Sequence, residues 1–126
     1  MPLVHHELCF GCGRTNLFGL LLEVEEVAPG AVAGRCFIKQ DHQGADRGRA
    51  HEGVVGAALA EAMELACGLD ARAVSFEVSV ESPAPVGVFV EVAARVEGRD
   101  GPIANASATA TADGRIVAEA RGRYRS

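Results

Sequence analysis

The chain has no Trp, one Tyr and five Phe, so aromatic side chains make up only 5% of its 126 residues. A core with so few rings has to be filled by Val, Leu and Ala, and such a core packs its elements closely. Basic residues are also scarce: 12 Lys and Arg stand against 17 Asp and Glu, giving a net charge of −5 with no basic cluster before the last few residues. That balance excludes nucleic acid as the main ligand, because phosphate contacts need concentrated Lys and Arg. Long apolar runs are missing too, and "MPLVHHELCF" has neither the charged region nor the apolar stretch of a signal peptide. No membrane partner is expected, and the reading places the protein in the cytoplasm. There its four cysteines stay reduced thiols rather than disulfide staples.

What is present fits one domain over residues 1–126, long enough to bury a core and small enough to gain from a partner chain. Residues 1–19, dense in Gly, Cys and His, show neither helical nor alternating period and read as an ordered loop. Two strands, 20–27 and 31–39, flank the turn pair Pro29-Gly30. The polar stretch "QDHQGADRGRA" then leads into a helix over 51–69, "HEGVVGAALAEAMELACGL", small or apolar nearly all round, with Gly68 as its stop.

After the helix the period changes from 3.6 to 2. Val74, Phe76, Val78 and Val80 alternate with Ser75, Glu77, Ser79 and Glu81, which predicts a half-buried strand ended by Pro83 and Pro85. Residues 88–97 alternate likewise, 103–110 carry Ala104, Ala106, Ala108 and Ala110 on one face, and Asp113-Gly114 joins the last strand, 115–124. The expected order is loop, two strands, one helix and a four-stranded antiparallel meander. An apolar helix paired with one sheet has one economical solution, in which the antiparallel sheet curls around the helix and buries it. That is the α+β hot-dog fold.

At this point the sequence resembles the hot-dog acyl-CoA thioesterases of the phenylacetate-degradation and thioesterase-superfamily type. "CFGCGRTNLFGL" is similar to a leader, Cys-Phe-x-Cys-Gly-x-x-Asn-Pro-x-Gly-Leu, with Leu17 in place of the proline. "HQGADRGRAHEGVVGAALAEAM" is similar to a central stretch with His-x-Gly, then His-Gly-Gly, then a helix containing Leu-Asp-Glu-Ala-Met. Glu52 replaces the first glycine of that turn, and Ala60 stands where the family places its catalytic acid. The resemblance implies a homodimer or dimer of dimers acting on acyl-CoA or another acyl thioester, without a cofactor.

Thioester hydrolysis needs a group that activates water and donors aimed at the oxygen that gains charge. The resemblance assigns the donor to the Gly53 N–H at the helix start, with His51 shaping the turn; equally, His51 is a cap and Gly53 a close-packing site. Glu61 shares a helix face with Val54, Ala57, Ala58 and Leu65, so burial there would raise its pKa and suit it to act as general base, unless this stripe faces a dimer partner or solvent and Glu61 pairs with an arginine. Glu64, one turn on, reads as a solvated or paired residue. Glu52, in the first turn beside the expected oxyanion site, is the rival acid. Asn16 belongs to the leader, where it orients substrate across a subunit boundary or closes a turn. Substrate binding is therefore expected around Asn16 and Ala60.

His5, His6, Cys9 and Cys12 have the residue types of a tetrahedral zinc set. A second Cys-x-x-Cys or a distal His pair is absent, so no metal is expected. Besides hydrolysis, the pattern admits a non-hydrolytic acyl-thioester or small-aromatic binding protein that kept the pocket without the acid at position 60. A hot-dog dehydratase fits less well, because no histidine-and-acid hydratase pattern is seen.

Overall fold

The computed structural model describes residues 1–126. After the leader come β1 (Glu23–Ala28), β2 (Ala31–Phe37), a 3-10 turn (Gln40–His42), α1 (Glu52–Cys67), β3 (Arg72–Val80), β4 (Phe89–Asp100), β5 (Ile103–Ala112) and β6 (Arg115–Arg125). The six strands form one antiparallel sheet in the order β1-β2-β4-β5-β6-β3. The sheet curls around α1, which lies mainly on β4, β5 and β6.

Turn chemistry sets the hairpins. Gly30 has φ +73° between β1 and β2, and Asp113 and Gly114 have φ +52° and +76° between β5 and β6, the doubly left-handed pair that a tight hairpin favours. β1 begins at Glu23 rather than at residue 20, because Leu21 turns the chain with φ +51°. The Leu20 and Leu22 N–H groups instead donate to the carbonyls of Phe10 and Gly11, tying the leader to the sheet edge.

One strand is not where the meander reading put it. β3 pairs with β6 at the far edge of the sheet, and β4 takes β2 as its other neighbour. Alternation identifies a strand but carries no information about its partner, and the connection to β4, residues 81–88, is longer than a tight hairpin turn. The expected inward face of β3 is also largely open: Val74, Phe76 and Val80 are 46%, 49% and 51% exposed, and only Val78 is half-buried.

α1 is capped by His51, whose Nδ1 accepts from the Gly53 N–H at 2.8 Å, and it stops at Gly68, φ +131°. Its buried side includes Val55, Leu59, Ala62, Met63 and Ala66. Beneath it lie Ala104, Ala106, Ala108 and Ala110, all buried. Side chains of one methyl group let the helix approach the sheet, and burying Leu59 and Met63 completely contributes about 1.5–3 kcal/mol each. The one Tyr, Tyr124, is fully buried with its hydroxyl donating to the Ala60 carbonyl at 2.9 Å. Gly122 makes room for it, since a Cβ there would lie 2.7 Å from Tyr124 Cε1.

Candidate functional site

The helix start is held from below. Buried His42 accepts the His51 N–H on its backbone oxygen at 2.7 Å, and its Nδ1 accepts the Lys39 N–H at 3.1 Å. Burial, assisted by the Lys39 charge, lowers the His42 pKa, so the ring is held neutral. A Cβ on Gly44 would lie 2.8 Å from the His51 Cα, so only glycine lets the loop run this close. Ala50 N–H donates to the Ala84 carbonyl at 2.8 Å, fixing the same loop to the β3–β4 connection.

On this base, His51, Glu52 and Gly53 are all exposed. Glu52 borders a cleft of about 310 Å³ whose walls include Arg49, Val55, Val80, Ser82 and Val117. A larger groove, about 780 Å³, lies on the outer face of the sheet around Ala33, Arg35, Phe89 and Thr109, away from the helix start. The His51 Nδ1 accepts the Gly53 N–H in this conformation, and the residue is exposed.

Farther along α1 the surroundings invert. Glu61 is covered by the leader, and its Oε2 lies 2.8 Å from His5 Nδ1 and 3.4 Å from Cys9 Sγ. The side chains of His5 and Glu61 are 10% and 11% exposed, and Cys12 is fully buried. Gly11 rests directly on the Glu61 carboxylate, in space that any Cβ would fill. The ligand atoms of His5, Cys9, Cys12 and Glu61 all lie within 4.8 Å of one another. Burial and the neighbouring Glu61 push the Cys12 thiol well above the ordinary thiol range. Glu61 therefore meets a histidine and thiols rather than the bare apolar wall or arginine anticipated from its helix face.

The remaining predicted residues are placed as follows. Asn16 closes the leader: its Nδ2 donates to the Leu8 carbonyl at 3.1 Å and its Oδ1 accepts the Phe18 N–H at 3.2 Å. Ala60 is half-buried beside Tyr124. His6 is exposed and stands outside the thiol cluster, with Nδ1 accepting the Leu8 N–H. Glu64, read as a solvated or paired residue, is half-buried without an ion pair; burial first, and the Glu61 charge second, raise its pKa. Cys36 and Cys67 are buried free thiols, and burial pushes Cys36 up to about 11. Sequence reasoning named Glu61 and three of its neighbours without joining them, since nothing in their spacing says that the leader folds onto mid-helix.

No family model and no curated protein matches the chain. Solved structures do. The phenylacetic acid degradation protein PaaI of Thermus thermophilus, solved as a point mutant, is 26% identical with a TM-score of 0.76 over 82% of this chain and 91% of that one. The E. coli PaaI protein from the phenylacetic acid degradation operon gives 15% identity and a TM-score of 0.77, over 84% of this chain and 79% of that one. Zebra fish thioesterase superfamily member 2 gives 21% and 0.74, over 82% and 80%. The chain has the hot-dog fold that the thioesterase superfamily and the phenylacetic acid degradation proteins share.

Proposed function

We propose that the protein is a cytoplasmic thioester hydrolase that cleaves acyl-CoA or another acyl thioester at the start of α1. One observation carries this reading: an exposed first turn, His51–Gly53, opens onto a cleft edged by a carboxylate, in the fold of the thioesterase superfamily. When the His51 ring swings aside, the Gly53 N–H faces outward at the positive end of the helix, suited to the oxygen that gains charge. A carboxylate takes a proton from water as the water oxygen bonds to the thioester carbon. The tetrahedral intermediate then collapses, the carbon–sulfur bond breaks, and the thiolate leaves and is protonated.

Of the two candidate carboxylates, Glu52 fits this role better than Glu61, because it is open to water at the cleft while Glu61 is covered by the leader. The site is completed by a second copy in a homodimer or dimer of dimers: β3 leaves an unpaired edge and exposed Val74, Phe76 and Val80 next to the cleft. In that assembly Ala60 forms an apolar wall along the helix, and Asn16 of the partner subunit sits in the leader loop that bounds the acyl group. Sedimentation velocity should give a dimer or tetramer; a monomer at all concentrations removes this part of the reading.

The deciding experiment is hydrolysis across a panel of acyl-CoA substrates, with Glu52→Gln and Glu61→Gln compared. A second reading, a non-hydrolytic acyl-thioester or small-aromatic binding protein, draws on one observation: Ala60 supplies no acid and Glu61 is engaged by the leader. Tight acyl-CoA binding by calorimetry with no turnover of any substrate would select it.

A further inference from the structure

The cluster on the leader side of α1 has no part in the proposed hydrolysis and has the composition of a metal centre. We propose that His5, Cys9, Cys12 and Glu61 hold one zinc ion, which clamps the leader onto the middle of the helix. Two thiols, an imidazole and a carboxylate form a donor set that suits a closed four-coordinate zinc site, and the softness of two thiolates favours zinc over magnesium or calcium.

The geometry fits. Tetrahedral zinc with ordinary Zn–S, Zn–N and Zn–O bond lengths places its ligand atoms about 3.3–3.8 Å apart. Cys9 Sγ lies 3.7 Å from His5 Nδ1, Cys12 Sγ lies 3.4 Å from the same nitrogen, and Cys9 Sγ lies 3.4 Å from Glu61 Oε2. Only the His5–Glu61 pair, at 2.8 Å, is shorter than that range, and it has to open by about half an ångström to admit the ion. All four ligand atoms lie within 4.8 Å of one another, so side-chain adjustments alone are needed to close on an ion.

The surroundings are built in the same sense. The Gly13 N–H donates to the Cys9 carbonyl at 2.9 Å, closing the Cys-x-x-Cys turn so that both sulfurs lie on one side. The His5 N–H points at Cys12 Sγ at 3.1 Å, a backbone donor suited to a thiolate. Gly13 itself is required, since a Cβ there would lie 2.6 Å from the Cys9 nitrogen. Gly11 supplies the room for the Glu61 carboxylate. Cys12 is fully buried, and His5 and Glu61 are nearly so, which is the closed character of a structural site rather than the open position of a catalytic one. Binding needs no oxidant: zinc displaces the two thiol protons to solvent, and four metal–ligand bonds form.

The fourth donor explains why the leader alone does not display the motif. His5, Cys9 and Cys12 come from one loop, and Glu61 comes from the face of α1 on which that loop lies. The ion would join two parts of the chain far apart in sequence, so its binding energy would act as folding energy for the leader. This inference is independent of the hydrolase reading, because its readouts are metal content, spectrum and leader protection.

The test uses the whole protein, purified with a reductant, loaded with zinc and dialysed. About one zinc per chain is expected by elemental analysis. Cobalt substituted for zinc should give an intense thiolate-to-cobalt charge-transfer band, absent from the Cys9→Ser/Cys12→Ser pair. Stripping the metal with a chelator should lower the melting temperature and speed hydrogen exchange at the Leu20 and Leu22 amides, which the leader carbonyls hold, by tenfold or more. Glu61→Gln should weaken zinc retention against a competing chelator at least tenfold. Unchanged retention in that variant overturns Glu61 as a ligand. Substoichiometric zinc after loading, a cobalt spectrum without the thiolate band, or a Cys9–Cys12 disulfide under reductant overturns the site. Where the double serine variant does not fold, His5→Gln and the cobalt spectrum of the wild-type protein decide in its place.

Discussion

Glu52 and Glu61 are carried by the same helix and have opposite settings. Glu52 stands in the first turn, exposed, at the edge of a cleft and without an ion-pair partner, beside the Gly53 N–H that the exposed His51 ring accepts. Glu61 lies under the leader, within reach of His5 and two cysteines and flush against a glycine. The difference is one of access: a carboxylate that has to meet substrate and water needs an open side, and a carboxylate that joins two pieces of chain needs every side filled. Helix position and charge are the same kind of signal for both, so the sequence alone cannot separate them. What separates them is the loop that lands on one and not on the other.

The largest expected effect is on turnover. General acid–base groups contribute about 10²- to 10⁴-fold, so Glu52→Gln should lower kcat by that range with the fold intact, while Glu61→Gln should leave kcat within about tenfold and lower stability instead. Steady-state kinetics and thermal melts on the two variants read both outcomes. The reverse result, a Glu61→Gln enzyme that is folded and inactive beside an active Glu52→Gln enzyme, would exchange the two roles.

Much of the fold was legible because it depends on short-range pattern. The alanine stripe of β5, the Pro29-Gly30 and Asp113-Gly114 turns and the Gly68 stop are local, and the structure places each where local chemistry puts it. Strand partnership is not local: β3 has the alternation of any strand, and nothing in Val74–Val80 says that β6 rather than β4 will pair with it. The cluster was half legible for the same reason. Cys-x-x-Cys with a nearby histidine is visible in the leader, but the fourth donor is fixed by tertiary packing, and the choice of His5 over His6 depends on which ring the leader turns inward.

Glycine substitutions sharpen the comparison through stability. An added Cβ at Gly11 runs into the Glu61 side chain, with Oε1 at 2.7 Å, whereas one at Gly53 meets only the exposed His51 ring at 3.0 Å. Overpacking of a filled site costs about 1–3 kcal/mol, so Gly11→Ala should lower the melting temperature clearly. Gly53→Ala should be close to neutral, because alanine is the better helix former by about 0.5–1 kcal/mol and the His51 ring can yield. Equal losses for the two would mean that the leader is not seated on Glu61 in solution.

A smaller effect is expected where α1 rests on β6. The Tyr124 hydroxyl donates to the Ala60 carbonyl, which precedes Glu61 in the chain. Tyr124→Phe keeps the buried ring and removes one hydrogen bond, for a loss of about 0.5–1.5 kcal/mol in a denaturant titration. Because the ring rather than the hydroxyl fills the space beside Gly122, the slope of that titration should not change.

The smallest effect tests how much of the Glu61 charge reaches its neighbour. Glu64 is half-buried with no ion pair, and its pKa is raised by burial first and by Glu61 second. A carboxyl group whose pKa is higher in the folded than in the unfolded chain favours the protonated folded form. Its stabilising contribution is therefore complete below the unfolded value, about 4.3, and is lost as pH rises through the folded value. At neutral pH ionised Glu64 weakens the fold, so Glu64→Gln should raise the melting temperature, by the equivalent of less than about 1 kcal/mol because solvent screens a half-exposed group. Below pH of about 4 the two proteins should melt together, since glutamine and protonated glutamate carry the same charge. Melting curves from pH 4 to 8 decide it: parallel curves would show that Glu64 is not destabilised in the folded chain. A gain that shrinks when the protein is loaded with zinc would show that the ion has neutralised Glu61, the carboxylate whose charge helps to raise the Glu64 pKa.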